Sequence, residues 1–244
     1  MRWLEESYPA DFALQEIEGK FVAQGGSAFF AMDVLETLLK GCMTPLRTLE
    51  GGVLKVWREP AKGGKYVAGG DLSWGESGAY SVLTVLDART GEQVAALRGR
   101  LPPDEMARLT VRLCKEYHNA FLGVEVNGEG VVVVRKLVEL GYGHHLFYRA
   151  ATRSDIKQAG WLTDAVSRPF MLGELAQAIR TGMVTPRCAE AVQEMLSFVR
   201  DDRGRPSRTP NTYDDHVISW TIAWQMRNYA SSGESGPVWR DKQW

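Results

Sequence analysis

KYVAGGDLSW (65–74), AYSVLTVLD (79–87) and EQVAALRG (92–99) follow one another closely, with DARTGE (87–92) as the turn between the second and the third. Each run is short and rich in Val, Leu, Ala and Tyr, the signature of a strand. Short connections of this kind join sequential strands into an antiparallel meander. One residue does not fit. Asp71 interrupts the first run where a buried side chain is expected, and a carboxylate there gives up hydration with no local partner in the sequence.

Downstream the pattern alternates. PPDEMARLTVRLCKEYHN (102–119) has Pro103 near its start and Met106, Leu109, Leu113, Cys114 and Tyr117 at helical spacing. FLGVEV (121–126) reads as a short buried strand ending near Glu125. VVVVRKLVELGY (131–142) reads as a helix ending at Gly141. Its valines favour a strand by propensity, but Val134, Leu137 and Val138 keep helical spacing. HLFYRA (145–150) is expected to add another strand to the sheet, with His144 and His145 on its opposite faces. PFMLGELAQAIRTG (169–182) and AEAVQEMLSFVR (189–200) read as helices, DDRGRPSR (201–208) as an exposed turn, and a last helix starts at about Asp214. This order predicts an α/β fold: a mixed sheet led by the meander, flanked by helices, with the first strand central and beside the fourth. The chain divides into a helical arm or linker segment (1–52), the α/β domain (53–229) and a flexible polar tail (230–244).

The chain has 244 residues, a formal net charge of −1 and 44% hydrophobic residues. That composition supports one substantial core and excludes disorder as the default. With near-zero net charge, attraction to nucleic acid has to come from a local basic surface. Cys42, Cys114 and Cys188 are far apart and lack CxxC spacing, so neither a disulfide framework nor a zinc ribbon is expected. No signal peptide or membrane-spanning run is visible, so the expectation is a protein that is not secreted and has no membrane partner.

Glu125 closes the fourth strand, and Asp214 and Asp215 open the last helix. If the first and fourth strands are neighbours, these acids gather with Asp71. Gathered carboxylates repel one another and need a cation. An all-oxygen donor set suits Mg²⁺ or Mn²⁺, and two such ions side by side suit phosphodiester hydrolysis. Each acid also has a plainer reading: Asp71 as a turn residue, Glu125 as a strand end, Asp214 as a helix cap and Asp215 as a charge favourable to the helix dipole.

GGDLSW…AYSVLTVLD, LGVEVNGEG…VVVRKLVELGY, KQAGWLTDAVSRPFML and YDDHVISWTIAWQ, taken in order over about residues 65–228, resemble the nuclease domain of tailed-bacteriophage terminase large subunits. QEIEGKF with Phe29 or Phe30 resembles the segment leading into it. The resemblance implies a ribonuclease H-like fold and a metal-dependent endonuclease that cuts double-stranded DNA during genome packaging. It further implies two Mg²⁺ or Mn²⁺ ions held by Asp71, Glu125, Asp214 and Asp215. Implied partners are an ATPase domain of the large subunit, the small terminase subunit and the portal protein, in the cytoplasm of an infected bacterial host. Two departures stand out. Ala79 occupies a place where the family often has another acid, with Glu76 displaced from it. No GxxxxGK[ST] phosphate loop is present, so no motor activity is expected of this chain, which reads as an excised domain or part of a split system.

DNA contacts are expected from Arg200, Arg203, Arg205 and Arg208 and from Arg153, Lys157 and Arg168, against the alternative of a solvated turn partly neutralised by Asp201 and Asp202. Trp161 reads as core and Trp74 as a residue that can stack on bases. His216 reads as structural or supporting. Other readings of the chain are a four-way-junction resolvase and a non-catalytic docking module of the packaging machinery.

Overall fold

The computed structural model of the protein describes residues 27–72, 80–128, 130–151 and 154–230. In chain order the elements are β1 (Ser27–Ala28), α1 (Met32–Lys40), β2 (Arg47–Leu49), β3 (Leu54–Val56), β4 (Tyr66–Asp71), β5 (Ser81–Asp87), β6 (Gln93–Gly99), α2 (Pro103–Glu116), β7 (Phe121–Val124), α3 (Gly130–Glu139), β8 (Tyr148–Ala151), β9 (Ser154–Ala159), α4 (Ser167–Arg180), α5 (Ala189–Leu196), β10 (Phe198–Arg200), β11 (Pro206–Arg208) and α6 (Asp215–Ala230).

The main sheet has six strands in the order β2-β3-β6-β5-β4-β7. β4, β5 and β6 form the expected antiparallel meander, and β7 joins β4 in parallel, pairing Gly69 with Gly123 and Gly70 with Val124. β4 therefore lies between β5 and β7, one place in from the edge of this sheet. The crossover from β6 to β7 is α2, which carries Pro103 in its first turn, Asp104 and Glu105 at its positive end and Lys115 in its last turn. It ends where His118 and Asn119 turn the chain through positive φ. α3 forms despite its valines, because Val133, Val134 and Leu137 are buried together on one side.

The sheet is covered on both faces. On one, Ala68, Leu83, Val85 and Leu97 pack with Met106, Leu113 and Leu137 of α2 and α3. On the other, Val67, Leu86 and Ala96 pack with residues of α1, α4, α5 and α6. The stretch expected as an arm, residues 1–52, enters this second core from residue 27 onward through Phe29, Phe30, Leu35 and Leu39, and supplies β2 to the sheet edge. Residues 1–26 and the tail beyond 230 lie outside the described residues.

Three local expectations are corrected. Tyr148–Ala151 does not join the main sheet; it pairs with β9 as a separate hairpin, and the chain just before it touches β7 through an isolated bridge of Leu146 with Leu122. His144 and His145 sit in a 3₁₀ turn rather than on a strand. The helix at 189–200 stops at Leu196, and Phe198–Arg200 turns back on Pro206–Arg208, with Asp201, Asp202 and Arg203 in the connection.

Candidate active site

The position of α6 follows from two glycines. Gly69 of β4 and Gly123 of β7 are cross-strand neighbours, and α6 lies directly over them. A Cβ on Gly69 would stand 2.1 Å from the Ala223 nitrogen and 2.3 Å from the Ser219 carbonyl oxygen; one on Gly123 would stand 2.7 Å from the Met226 sulfur. Side chains at these two places would lift the helix off the sheet. The Ser219 hydroxyl lies 2.9 Å from both the Gly69 carbonyl oxygen and the Thr84 hydroxyl, which fixes the helix along its axis.

This seating brings the first turn of α6 to the end of β4 where Asp71 stands. The Glu125 N–H donates to the Gly70 carbonyl at 2.8 Å, so Glu125 follows β7 out beside Asp71. Beyond it, Val126 and Trp161 bond through their backbones at 2.8 Å, and Asn127 clasps Thr163 through its side-chain amide in both directions. Trp161 is buried in the core against Phe147, as expected.

Asp71, Glu125, Asp214 and Asp215 form one electrostatic unit. Burial, followed by the charges of Glu125, Asp215 and Asp214, pushes the Asp71 carboxyl well above the carboxylate range, with Arg168 opposing. Burial also raises Glu125, partly countered by Thr163 and Arg168, and raises Asp215 against the N–H of Tyr80. These are like charges brought together against their preference. They are not closed into a ligand shell. Among the described residues no group of three or more Asp, Glu, His or Cys side chains is set to hold an ion. Two of the acids are engaged by other groups: Asp214 Oδ2 is bound by Arg168 at 2.8 Å, with Arg208 3.8 Å from Oδ1, and Asp215 Oδ2 accepts the Tyr80 N–H at 3.1 Å.

The expected DNA-contacting cations separate. Arg168 and Arg208 reach the acids. Arg205 is bound by Asp201 at 2.8 Å, Arg200 lies 4.6 Å over the Phe29 ring, Arg203 belongs to the exposed turn, and Lys157 is exposed on β9. Arg153, Trp74, Glu76 and Ala79 lie outside the described residues.

Glu194 had no signature in the sequence. It stands on α5, and its carboxylate accepts the His216 N–H at 2.7 Å, capping α6 from another helix. Burial, and then the nearby Asp215 and Asp214, hold it up at about 8 in spite of that bond. Only tertiary packing makes this contact, so no spacing in the chain could announce it. The His216 ring is buried, with neither nitrogen hydrogen-bonded, and burial pushes it down to about 3.

No family model and no curated protein matches the sequence. In structure, the chain is similar to the large terminase nuclease of thermophilic phage G20c with bound cobalt, at 20% identity and a TM-score of 0.62, over 82% of this chain and 97% of that one. The same nuclease with bound magnesium aligns at 19% identity and a TM-score of 0.59, over 82% and 97%. The large terminase nuclease domain of Thermus phage P74-26 aligns at 19% identity and a TM-score of 0.58, over 79% and 94%. The chain has the ribonuclease H-like fold of these terminase nucleases.

Proposed function

We propose that the chain is the genome-cutting domain of a viral DNA-packaging terminase large subunit, a metal-dependent endonuclease acting on double-stranded DNA. The observation that carries this reading is the convergence of Asp71 at the end of β4, Glu125 just beyond β7, and Asp214 and Asp215 at the start of α6, with the carboxyls of Asp71, Glu125 and Asp215 all pushed up, chiefly by burial. A fold that holds like charges together in this way is matched to a cation. The shared fold with nucleases solved with magnesium or cobalt bound supports the same reading.

The donors fit divalent ions: all are carboxylate oxygens, as Mg²⁺ or Mn²⁺ prefers. Asp71, Glu125, Asp214 and Asp215 are the residues that would hold such ions, with Asp71 influenced by the charges of all three others. Bound there, a pair of ions supplies Lewis-acid activation of water and of the scissile phosphodiester. The remaining work falls to the chain. Tyr80 orients Asp215 through its N–H, and Glu194 holds the first turn of α6 in place. Arg168 holds the Asp214 carboxylate in place through its guanidinium at 2.8 Å. The ATPase domain, small subunit and portal are the partners this role implies.

The test is plasmid cleavage by the purified chain with Mg²⁺, Mn²⁺, Ca²⁺ or EDTA. Nicking and linearisation with Mg²⁺ or Mn²⁺ are expected, falling to background in Asp71→Asn and Asp215→Asn. Undiminished cutting by a folded Asp71→Asn protein would overturn the assignment.

A further inference from the structure

The rim of this site carries side chains that the carboxylate arrangement does not use. β5 and β6 pair Ser81 with Gly99 and Val82 with Arg98, so the register continued by one pair sets Tyr80 against Arg100. Val82 is also paired with Asp71. Facing residues of an antiparallel pair share a face, and alternate residues along a strand return to it. Tyr80, Arg98 and Arg100 therefore lie on the face that bears Asp71.

There they form a stack. The guanidinium carbon of Arg98 lies 3.7 Å from the centroid of the Tyr80 ring, and that of Arg100 lies 4.2 Å from it. Tyr213, the residue before Asp214, meets the Tyr80 ring edge-on at 5.5 Å, and its hydroxyl accepts from Arg100 at 3.3 Å. The backbone of Tyr80 is bonded to Asp215. The stack is thus tied to the acid cluster through both Tyr80 and Tyr213.

Arg100 is free in a way the other nearby cations are not, while the charge of Arg98 already acts on Asp215 and Glu194. Arg168 and Arg208 both lean on Asp214, whereas among the described residues neither Arg98 nor Arg100 has an acid at ion-pair distance. Arg100 and Tyr213 are exposed. Two guanidiniums packed on one ring repel each other, and a shared anion relieves that repulsion. Stacking also holds the planar donor fork in one orientation, so little freedom is lost when it binds. Duplex DNA carries about one negative charge per 1.7 Å of axis, and over this site it meets four carboxylates. Arg100, a cation not already engaged by those acids, is what can offset the repulsion.

We propose that Arg100, oriented by Tyr80 and Tyr213 with Arg98 packed on the same ring, is a binding site for a backbone phosphate of duplex DNA and positions the strand across the carboxylates. The position of that phosphate relative to the cut rests on the nuclease reading; the affinity for DNA does not.

The experiment is fluorescence anisotropy of a mixed-sequence duplex with the full chain, in Ca²⁺ without Mg²⁺, across a range of salt. Arg100→Gln is expected to weaken binding several-fold and to reduce the slope of log K against log salt by about 0.9, the loss of one phosphate contact. Arg100→Lys should restore the slope but not the full affinity. Tyr213→Leu should lower affinity with the slope kept. Arg108→Gln, on α2 across the sheet, removes the same charge and should leave the slope unchanged. A folded Arg100→Gln protein with wild-type affinity and slope overturns the site. The same proteins are then assayed for plasmid cleavage. A wild type that binds through Arg100 yet fails to cut with any of these metals overturns the nuclease reading and keeps this one. A wild type that cuts while Arg100→Gln binds and cuts equally well does the reverse.

Discussion

Asp71 is held in its site at a cost to the fold. A carboxyl whose folded pKa stands above its ordinary value of 3.8 is penalised for ionising. The stability of the metal-free protein therefore falls as the pH climbs from about 3.8 through the raised value, and the penalty is in force at neutral pH. Two opposite effects follow for Asp71→Asn. In EDTA at pH 7 its melting temperature should rise above wild type, because an isosteric neutral group replaces a repelled charge. On the proposed metal site, Mg²⁺ is expected to raise the melting temperature of the wild type, and that increase should shrink or vanish in the variant because binding to the folded state is weakened. Thermal melts of both proteins in EDTA and Mg²⁺ check this; a variant less stable than wild type in EDTA would mean that Asp71 is held by favourable bonds instead. Asp71 could be picked from the sequence because a charged residue stood in an apolar strand. Glu194 could not, since its partner is a backbone N–H presented by another helix. Tyr80 and Arg100 were equally silent, being ordinary residues at the ends of strands until the register set them side by side.

At the scale of elements, the contact that matters most is α6 on β4 and β7. With a Cβ at Gly69 only 2.1 Å from a backbone nitrogen, no side-chain adjustment relieves the clash, and the helix itself has to move. Gly69→Ala is expected to cost more than about 3 kcal/mol, measured by urea unfolding, and to abolish cleavage even where the protein remains folded. Gly123→Ala meets a flexible methionine and an isoleucine methyl and should be milder. The meander, α2 and α3 were legible because each has its own periodicity and end signals. The hairpin of β8 and β9 was not: SDIKQA alternates weakly, and its pairing excludes β8 from the main sheet through a contact that local pattern does not encode. β2 and β3, three residues each, are too short to show a period.

For the whole molecule, the site depends on parts remote from it in sequence. Phe29, Phe30, Leu35 and Leu39 share one core with Trp220 and Ile222 of α6, so residues ahead of the sheet support the helix that begins with Asp215 and follows Asp214. A chain begun at residue 53 loses those side chains and the β2 edge. It should melt well below the full chain or fail to fold, which circular dichroism can decide; an equally stable shortened chain would make residues 27–52 an accessory. No helix among the described residues is long and apolar enough to cross a membrane. The order of the carboxylates along the chain has a further effect. Asp71 and Glu125 leave the ribosome long before Asp214 and Asp215, and the glycine-floored seat on β4 and β7 stays empty until α6 is made. On the nuclease reading, a nascent chain that has passed Glu125 would hold only half of the proposed metal site, and the other half would arrive with its last described helix.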